Sequence, residues 1–135
     1  MTKLARQLGV VDHLIWAGHL NSREMSWCFY HSAAFIMTSR VEACPNIVLE
    51  AMAHGSLCVS TDTPPMPEFF KATAAYYPSG EAEMLARQLK TVLHSSEDAT
   101  RLQNAARLRA EDFTWQETAR KTVDQLEAVL GQSRR

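Results

Sequence analysis

Glu42 and Glu50 stand with seven residues between them in Glu42-Ala43-Cys44-Pro45-Asn46-Ile47-Val48-Leu49-Glu50, and a helical pattern starting near Pro45 sets the second carboxylate one turn in. A helix start presents unpaired N–H groups and the positive end of its dipole, which favours phosphate. Carboxylates to either side of that mouth accept hydrogen bonds from sugar hydroxyls. The combination suits a diphosphate that carries a sugar ring at each end, as a nucleotide sugar does. The same residues also have a purely structural use, because an acidic side chain near a helix N-terminus is favourable by about 0.3–1 kcal/mol with no ligand present.

Such a site needs elements that hold it in a crevice. Short apolar runs at His13-Leu14-Ile15-Trp16, Ala34-Phe35-Ile36-Met37, Leu57-Cys58-Val59-Ser60 and Ala75-Tyr76-Tyr77 read as strands, with helical patterns at Ser22 to Tyr30 and Asn46 to His54 between them. Alternation of this kind predicts an α/β fold, a Rossmann-like parallel sheet of about four strands with helices on both faces, because parallel neighbours need a crossover. Ligands in such folds sit beyond the strand C-termini, where the Glu42 to Glu50 segment falls. The last third repeats Leu, Ala and Val at helical spacing over Gly80 to Leu93, Glu97 to Glu111 and Thr114 to Leu130. Three consecutive helices are expected there. Ser95-Ser96-Glu97-Asp98 supplies caps for the second, Thr114 and Glu117 form a capping box for the third, and Gly131 ends it. Residues 1–131 read as one domain and 132–135 as a tail.

Composition narrows the function classes. With 135 residues and 46% apolar content the chain has material for one core. Its 14 basic and 15 acidic residues leave a formal charge of −1 with no long run of either sign, so neither a nucleic-acid footprint nor a polybasic membrane patch is expected. No apolar stretch reaches the roughly 18 residues that span a bilayer, and MTKLARQLGV lacks the apolar centre of a signal peptide, which points to a cytoplasmic chain. Cys28, Cys44 and Cys58 form no CxxC pair and read as small buried hydrophobes. Trp16, Trp27 and Trp115 read as core, and His31, His54 and His94 as cations at helix ends. No Ser-His-Asp set, P-loop or metal-ligand spacing is present.

The stretch from Ser39-Arg40-Val41-Glu42 through Glu50-Ala51-Met52-Ala53-His54-Gly55 resembles the signature segment of retaining glycosyltransferases of family 4, also called group 1. Trp16-Ala17-Gly18 resembles that family's strand ending in glycine, Gly55 to Ser60 its small-residue turn and buried strand, and Phe113-Thr114-Trp115 the aromatic step before its final helix. The likeness covers roughly Leu8 to Leu130 and implies the C-terminal, donor-binding half of the two-domain GT-B architecture.

Carried onto these positions, the resemblance implies that Glu50 accepts from the nucleotide ribose and that Glu42 contacts the donor hexose, the catalytic assignment. Backbone N–H groups of Asn46, Ile47, Val48 and Leu49 would face the diphosphate and sugar, with Arg40 as a further phosphate or acceptor contact and Gly18 and His19 as the loop against the nucleobase. No metal and no other cofactor is implied, since helix dipole and side-chain cations offset the leaving-group charge. The implied partners are the nucleotide sugar and an acceptor-binding N-terminal domain or polypeptide outside this chain, with peripheral membrane association open to the full enzyme. The alternative is a truncated, non-catalytic module that binds a partner polypeptide along a bare sheet edge.

Three departures from the family pattern stand out. The chain starts at the helix before the Leu14 run, without the earlier strand and loop whose Arg and Lys clamp the diphosphate. Pro45 offers no N–H where relatives have glycine, and Pro64-Pro65 replaces paired glycines.

Overall fold

The computed structural model describes residues 2–132. Three strands, β1 (Phe35–Met37), β2 (Cys58–Thr61) and β3 (Ala75–Tyr77), form one parallel sheet in the order β1-β2-β3. Phe35 stands opposite Cys58, and Ser60 opposite Tyr76. The helices are α1 (Thr2–Gln7), α2 (Ser22–His31), α3 (Asn46–Ala53), α4 (Met66–Phe70), α5 (Ala82–His94), α6 (Ser96–Ala110) and α7 (Trp115–Gln132), with a 3-10 turn at Val11–His13.

The central strand shows why the sheet is covered on both sides. All four residues of β2 are buried, and successive side chains of a strand point to opposite faces. Cys58 joins Phe29, Met37, Val48, Met52 and Phe70 on the α2, α3 and α4 side. Val59 joins Leu57, Tyr77, Val92 and Leu102 on the α5 side. Helix α6 serves both faces, with Ala106 in the first cluster and Leu102 in the second. Phe70 and Met52 have no exposed surface, so truncating either to alanine costs about 2–5 kcal/mol.

The sheet has three strands where about four are expected. His13 closes the 3-10 turn, Leu14 is extended at φ −116° and ψ 127°, and Leu14 to Gly18 belongs to no strand; Ile15 is 93% exposed. A strand is defined by its neighbour's hydrogen bonds, and none of the described residues supplies them here. The tryptophans depart from expectation for a related reason: Trp16, Trp27 and Trp115 are 56%, 62% and 84% exposed, on segments that the core does not reach. Trp27 instead stacks on His31, ring centres 4.4 Å apart. Among the cysteines, Cys58 is buried, Cys28 half-buried and Cys44 exposed in the loop before α3, which corrects the expectation for Cys44.

Helix ends follow their capping chemistry closely. Asn21 Oδ1 accepts from the N–H groups of Arg23 and Glu24, both at 3.0 Å, while the Asn21 N–H donates to Glu24 Oε2 at 2.8 Å, a capping box that starts α2. Ser95 Oγ accepts from the Asp98 N–H, and Thr114 Oγ1 from the Glu117 N–H. The Thr114 box is only half formed, because Glu117 turns its carboxylate to Arg120 and Lys121 instead. Helix α7 continues through Gly131 to Gln132, so the expected stop at Gly131 is not used and the expected tail begins inside the helix; residues 133–135 lie outside the described residues.

At the far end of α3 the chain reverses through Gly55 at φ +71°. The Ser56 N–H donates to the Ala51 carbonyl and the Gly55 N–H to the Met52 carbonyl, the two bonds of a Schellman motif. Among the described residues no helix is long and apolar enough to cross a membrane.

Candidate functional site

The C-terminal ends of the three strands open onto the loops Thr38 to Cys44, Asp62 to Pro65 and Pro78 to Glu81. Two buried hydroxyls tie the first of these down. Thr61 Oγ1 donates to the Ser39 carbonyl at 3.0 Å, and the Tyr77 hydroxyl donates to the Met37 carbonyl at 3.3 Å. Arg40 then crosses the end of the sheet, its Nη2 lying 3.7 Å from where a Cβ on Gly80 would stand. The guanidinium from the loop after β1 thus lies beside the loop after β3. Arg40 and Glu42 both sit on this loop, and neither makes an ion pair among the described residues.

Pro45 caps α3 in an extended conformation, φ −77° and ψ 92°, so the helix proper starts at Asn46. No side chain hydrogen-bonds to the leading amides. Val48 donates its N–H to the Pro45 carbonyl at 2.9 Å, and its side chain is fully buried. The open N–H groups at the head of the helix are therefore those of Asn46 and Ile47.

Glu50 projects from the flank of α3 and lines two hollows. One, of about 480 Å³, is also walled by Cys44, Asn46, Leu49, Phe69, Phe113 and Trp115. The other, of about 430 Å³, is bounded by Leu20, Ser22, Met25, Ser26, Phe29 and His54. Three expected residues, Asn46, Leu49 and Glu50, meet in the first hollow. Glu42, half-buried, lines neither, and Arg40, Gly18 and His19 are likewise outside both. Gly18 has φ +68° and, with His19, leads into Leu20, which does reach the second hollow.

His54 anchors this wall. Its Nδ1 lies 2.7 Å from the Glu50 carbonyl, which can only accept, so Nδ1 carries the proton and Nε2 accepts from Ser26 Oγ at 3.0 Å. The ring also packs between Phe29 and Tyr30 at 5.2 and 5.0 Å. His31 and His94 cap the carbonyls of Trp27 and Lys90 in the same way, at 2.7 Å each. All three act as helix-end donors, which is the capping expected of them and needs no positive charge. The aromatic wall of Phe69, Phe113 and Trp115 is a feature the sequence reading missed as a lining; its signal was the Phe113-Thr114-Trp115 step, legible only as a helix start. Among the described residues no three His, Cys, Asp or Glu side chains gather to hold a metal ion.

Comparison with known proteins places this geometry in a family. The profile described as "Glycosyl transferases group 1" matches residues 1–109. The chain is 27% identical over 112 residues to the Arabidopsis thaliana protein "Sulfoquinovosyl transferase SQD2", a match covering 79% of this chain and 22% of that protein. Its fold superposes on "Sucrose-phosphate synthase" from Thermosynechococcus elongatus with a TM-score of 0.84 at 17% identity, covering 96% of this chain and 33% of that one. The chain therefore spans a fifth to a third of the length of these relatives.

Proposed function

The chain belongs to the group 1 glycosyl transferases and has the fold of a GT-B domain, and from that premise we propose that it is the donor-binding half of a retaining glycosyltransferase that moves a hexose to a glycan or lipid acceptor. The observation that carries the reading is the mouth of α3. It opens beyond the strand C-termini with no side-chain cap, with Arg40 and Glu42 on the loop in front and Glu50 one turn along.

In this reading the amides of Asn46 and Ile47 hold the diphosphate, aided by the helix dipole and by the Arg40 guanidinium. Glu50 accepts from ribose hydroxyls, and Glu42 contacts the hexose. The donor then lies across the mouth of α3, with the Glu42 loop on one side and a Glu50 hollow on the other. As the glycosidic bond to the leaving phosphate breaks, negative charge grows on that phosphate, and fixed N–H dipoles and a cation already aimed there stabilise it without rearrangement. An acceptor-binding domain or polypeptide outside these residues would close over the donor, exclude water and present the attacking oxygen. These 135 residues alone are then expected to bind the donor and to transfer little or nothing.

Calorimetric titration of UDP, GDP and a UDP-sugar into the chain, with Glu50→Ala as control, tests the reading. Millimolar or tighter binding that disappears in the variant supports it, and absence of heat with every nucleotide removes it.

A second reading rests on a separate observation. Among the described residues β1 pairs with β2 alone, Ile36 at its centre is 40% exposed, and Leu14 to Trp16 belongs to no strand. Strands of a parallel sheet are normally buried on both faces. A non-catalytic module that accepts a partner polypeptide along this edge would use those residues. Absent nucleotide binding together with capture of an added strand at β1 would favour it.

A further inference from the structure

Glu50 stands on α3 and His54 at its C-cap four residues on, a spacing that sets both on one face of the helix, and both line the hollow of about 430 Å³ against α2. The imidazole is engaged on both nitrogens. Nδ1–H donates to the Glu50 carbonyl, and Nε2 accepts from Ser26 Oγ on α2. Phe29 and Tyr30 flank the ring, and a second tie, from Ser56 Oγ to the Phe29 carbonyl at 3.1 Å, holds α2 to the turn after α3. His54 is thus fixed in the wall of the hollow beside the carboxylate assigned to the ribose.

That hydrogen-bond pattern belongs to a neutral ring, because Nε2 accepts. A second proton would sit on Nε2, and the Ser26 hydroxyl, whose oxygen can accept, would turn its own proton away. Protonation therefore changes the charge of the wall and leaves the ring in place. The imidazolium faces the same hollow as Glu50, which enters no ion pair among the described residues. Glutamate followed four residues later by a cation is the favourable order for a helical ion pair. A carboxylate drawn to that cation is a poorer acceptor for ribose hydroxyls.

Histidine side chains change charge between about pH 5 and 8, above the carboxylate range. The other charged or titratable groups around this ring are the Tyr30 phenol on α2 and the Arg107 guanidinium, which reaches from α6 to the neighbouring Gly55. Tyrosine and arginine side chains keep their charge through that range. A charge change in this wall then belongs to His54.

We propose that His54 makes donor binding pH-dependent: the neutral imidazole leaves Glu50 free for the ribose, and the imidazolium competes for it. The inference rests on the assignment of Glu50 to the nucleotide ribose, and it makes His54 a positioning residue that acts through Glu50. Binding is then complete above the histidine range and weakens as the pH falls through it.

Calorimetric titration of a UDP-sugar and a GDP-sugar across the range tests the proposal, since a sugar-linked diphosphate has no ionisation there whereas a free nucleoside diphosphate does. Affinity should fall about threefold from about pH 7.5 to about pH 5.5, the scale of a partly exposed ion pair. His54→Gln should bind alike at both values. Ser26→Ala, which keeps the imidazole, and His19→Gln, which removes the histidine expected near the nucleobase, should both retain the fall. Nitrogen-15 spectra of the imidazoles supply a readout that needs no nucleotide: neutral His54 should be the Nδ1–H tautomer, and its titration midpoint should drop in Glu50→Gln. By reciprocity it should also drop when the nucleotide sugar that binds is added to the wild type. Binding with no pH step, a step that survives His54→Gln, or a His54 midpoint that Glu50→Gln leaves in place overturns the proposal while the donor site stands. No binding at any pH removes the donor site and this inference with it.

Discussion

The Tyr77 hydroxyl, at the end of β3, donates to the carbonyl of Met37 at the end of β1, 3.3 Å away on the far side of β2. With Thr61 bonded to the Ser39 carbonyl, this clamps the start of the loop that carries Arg40 and Glu42. Tyr77→Phe removes the donor and leaves a buried carbonyl with one partner fewer. Urea denaturation should show a loss of about 1 kcal/mol, and nucleotide affinity should fall with no change in the helical signal.

Gly55 is required for its backbone: φ is +71°, which disfavours any side chain, whereas the Arg107 guanidinium that a Cβ would meet is the end of an exposed, flexible side chain and can move aside. Gly55→Ala should destabilise the chain by about 1–3 kcal/mol in chemical denaturation. Adding Arg107→Ala should restore little of that loss, since the backbone conformation stays unfavourable and the exposed guanidinium can already move aside. A double-mutant cycle with strong coupling between the two positions would contradict this.

Burial pushes the Cys58 thiol up to about 12, so at neutral pH it carries almost no thiolate. Cys44 is exposed. A thiol reagent added to the native chain should label Cys44 first and leave Cys58 unmodified until denaturant is added. Mass spectrometry of the labelled peptides checks this.

The hydrogen bond from Arg120 holds the Glu117 carboxyl down to about 2 from an ordinary value of 4.5. A carboxylate lowered on folding contributes stability that is complete above its unfolded value and is lost as the pH falls through the folded one. The first turns of α7 should therefore loosen between about pH 4.5 and 2. Its partners Arg120 and Lys121 lie on the same helix, so the effect is local. Glu117→Gln should remove the pH dependence of α7 helicity in that window, as measured by circular dichroism against the wild type.

Arg109 joins three segments: its Nε donates to the Phe69 carbonyl and its Nη2 to the Glu68 carbonyl, both at 3.0 Å, while the guanidinium lies 4.5 Å from the Phe113 ring centre. Arg109→Lys keeps the charge and loses the fork. It should cost roughly 1–2 kcal/mol in thermal or urea unfolding, and Arg109→Ala at least as much.

Much of this was legible from local pattern. The strands at Phe35, Cys58 and Ala75 and the helices at Ser22, Asn46 and the C-terminal third are set by apolar period and by caps such as Ser95 and Thr114, which act within a few residues. The helix-end role of the histidines was readable for the same reason, each reaching the carbonyl four residues back. Leu14-Ile15-Trp16 was not, because an apolar run becomes a strand only when a neighbour supplies its hydrogen bonds. The tryptophans failed similarly: periodicity shows which face of a segment is apolar, not whether anything lies against it.

For the candidate site the division follows the same line. The spacing of Glu42 and Glu50 and the amide-bearing turn between them are properties of contiguous chain, so the sequence determined them and the family they mark. Only the tertiary structure decided that Arg40 reaches Gly80, that Tyr77 and Thr61 clamp the loop, and that Glu50 faces a wall of Phe69, Phe113 and Trp115. Those neighbours lie tens of residues apart. Distance along the chain carries no information about them until the parallel sheet, with its crossovers, brings its strand ends to one edge.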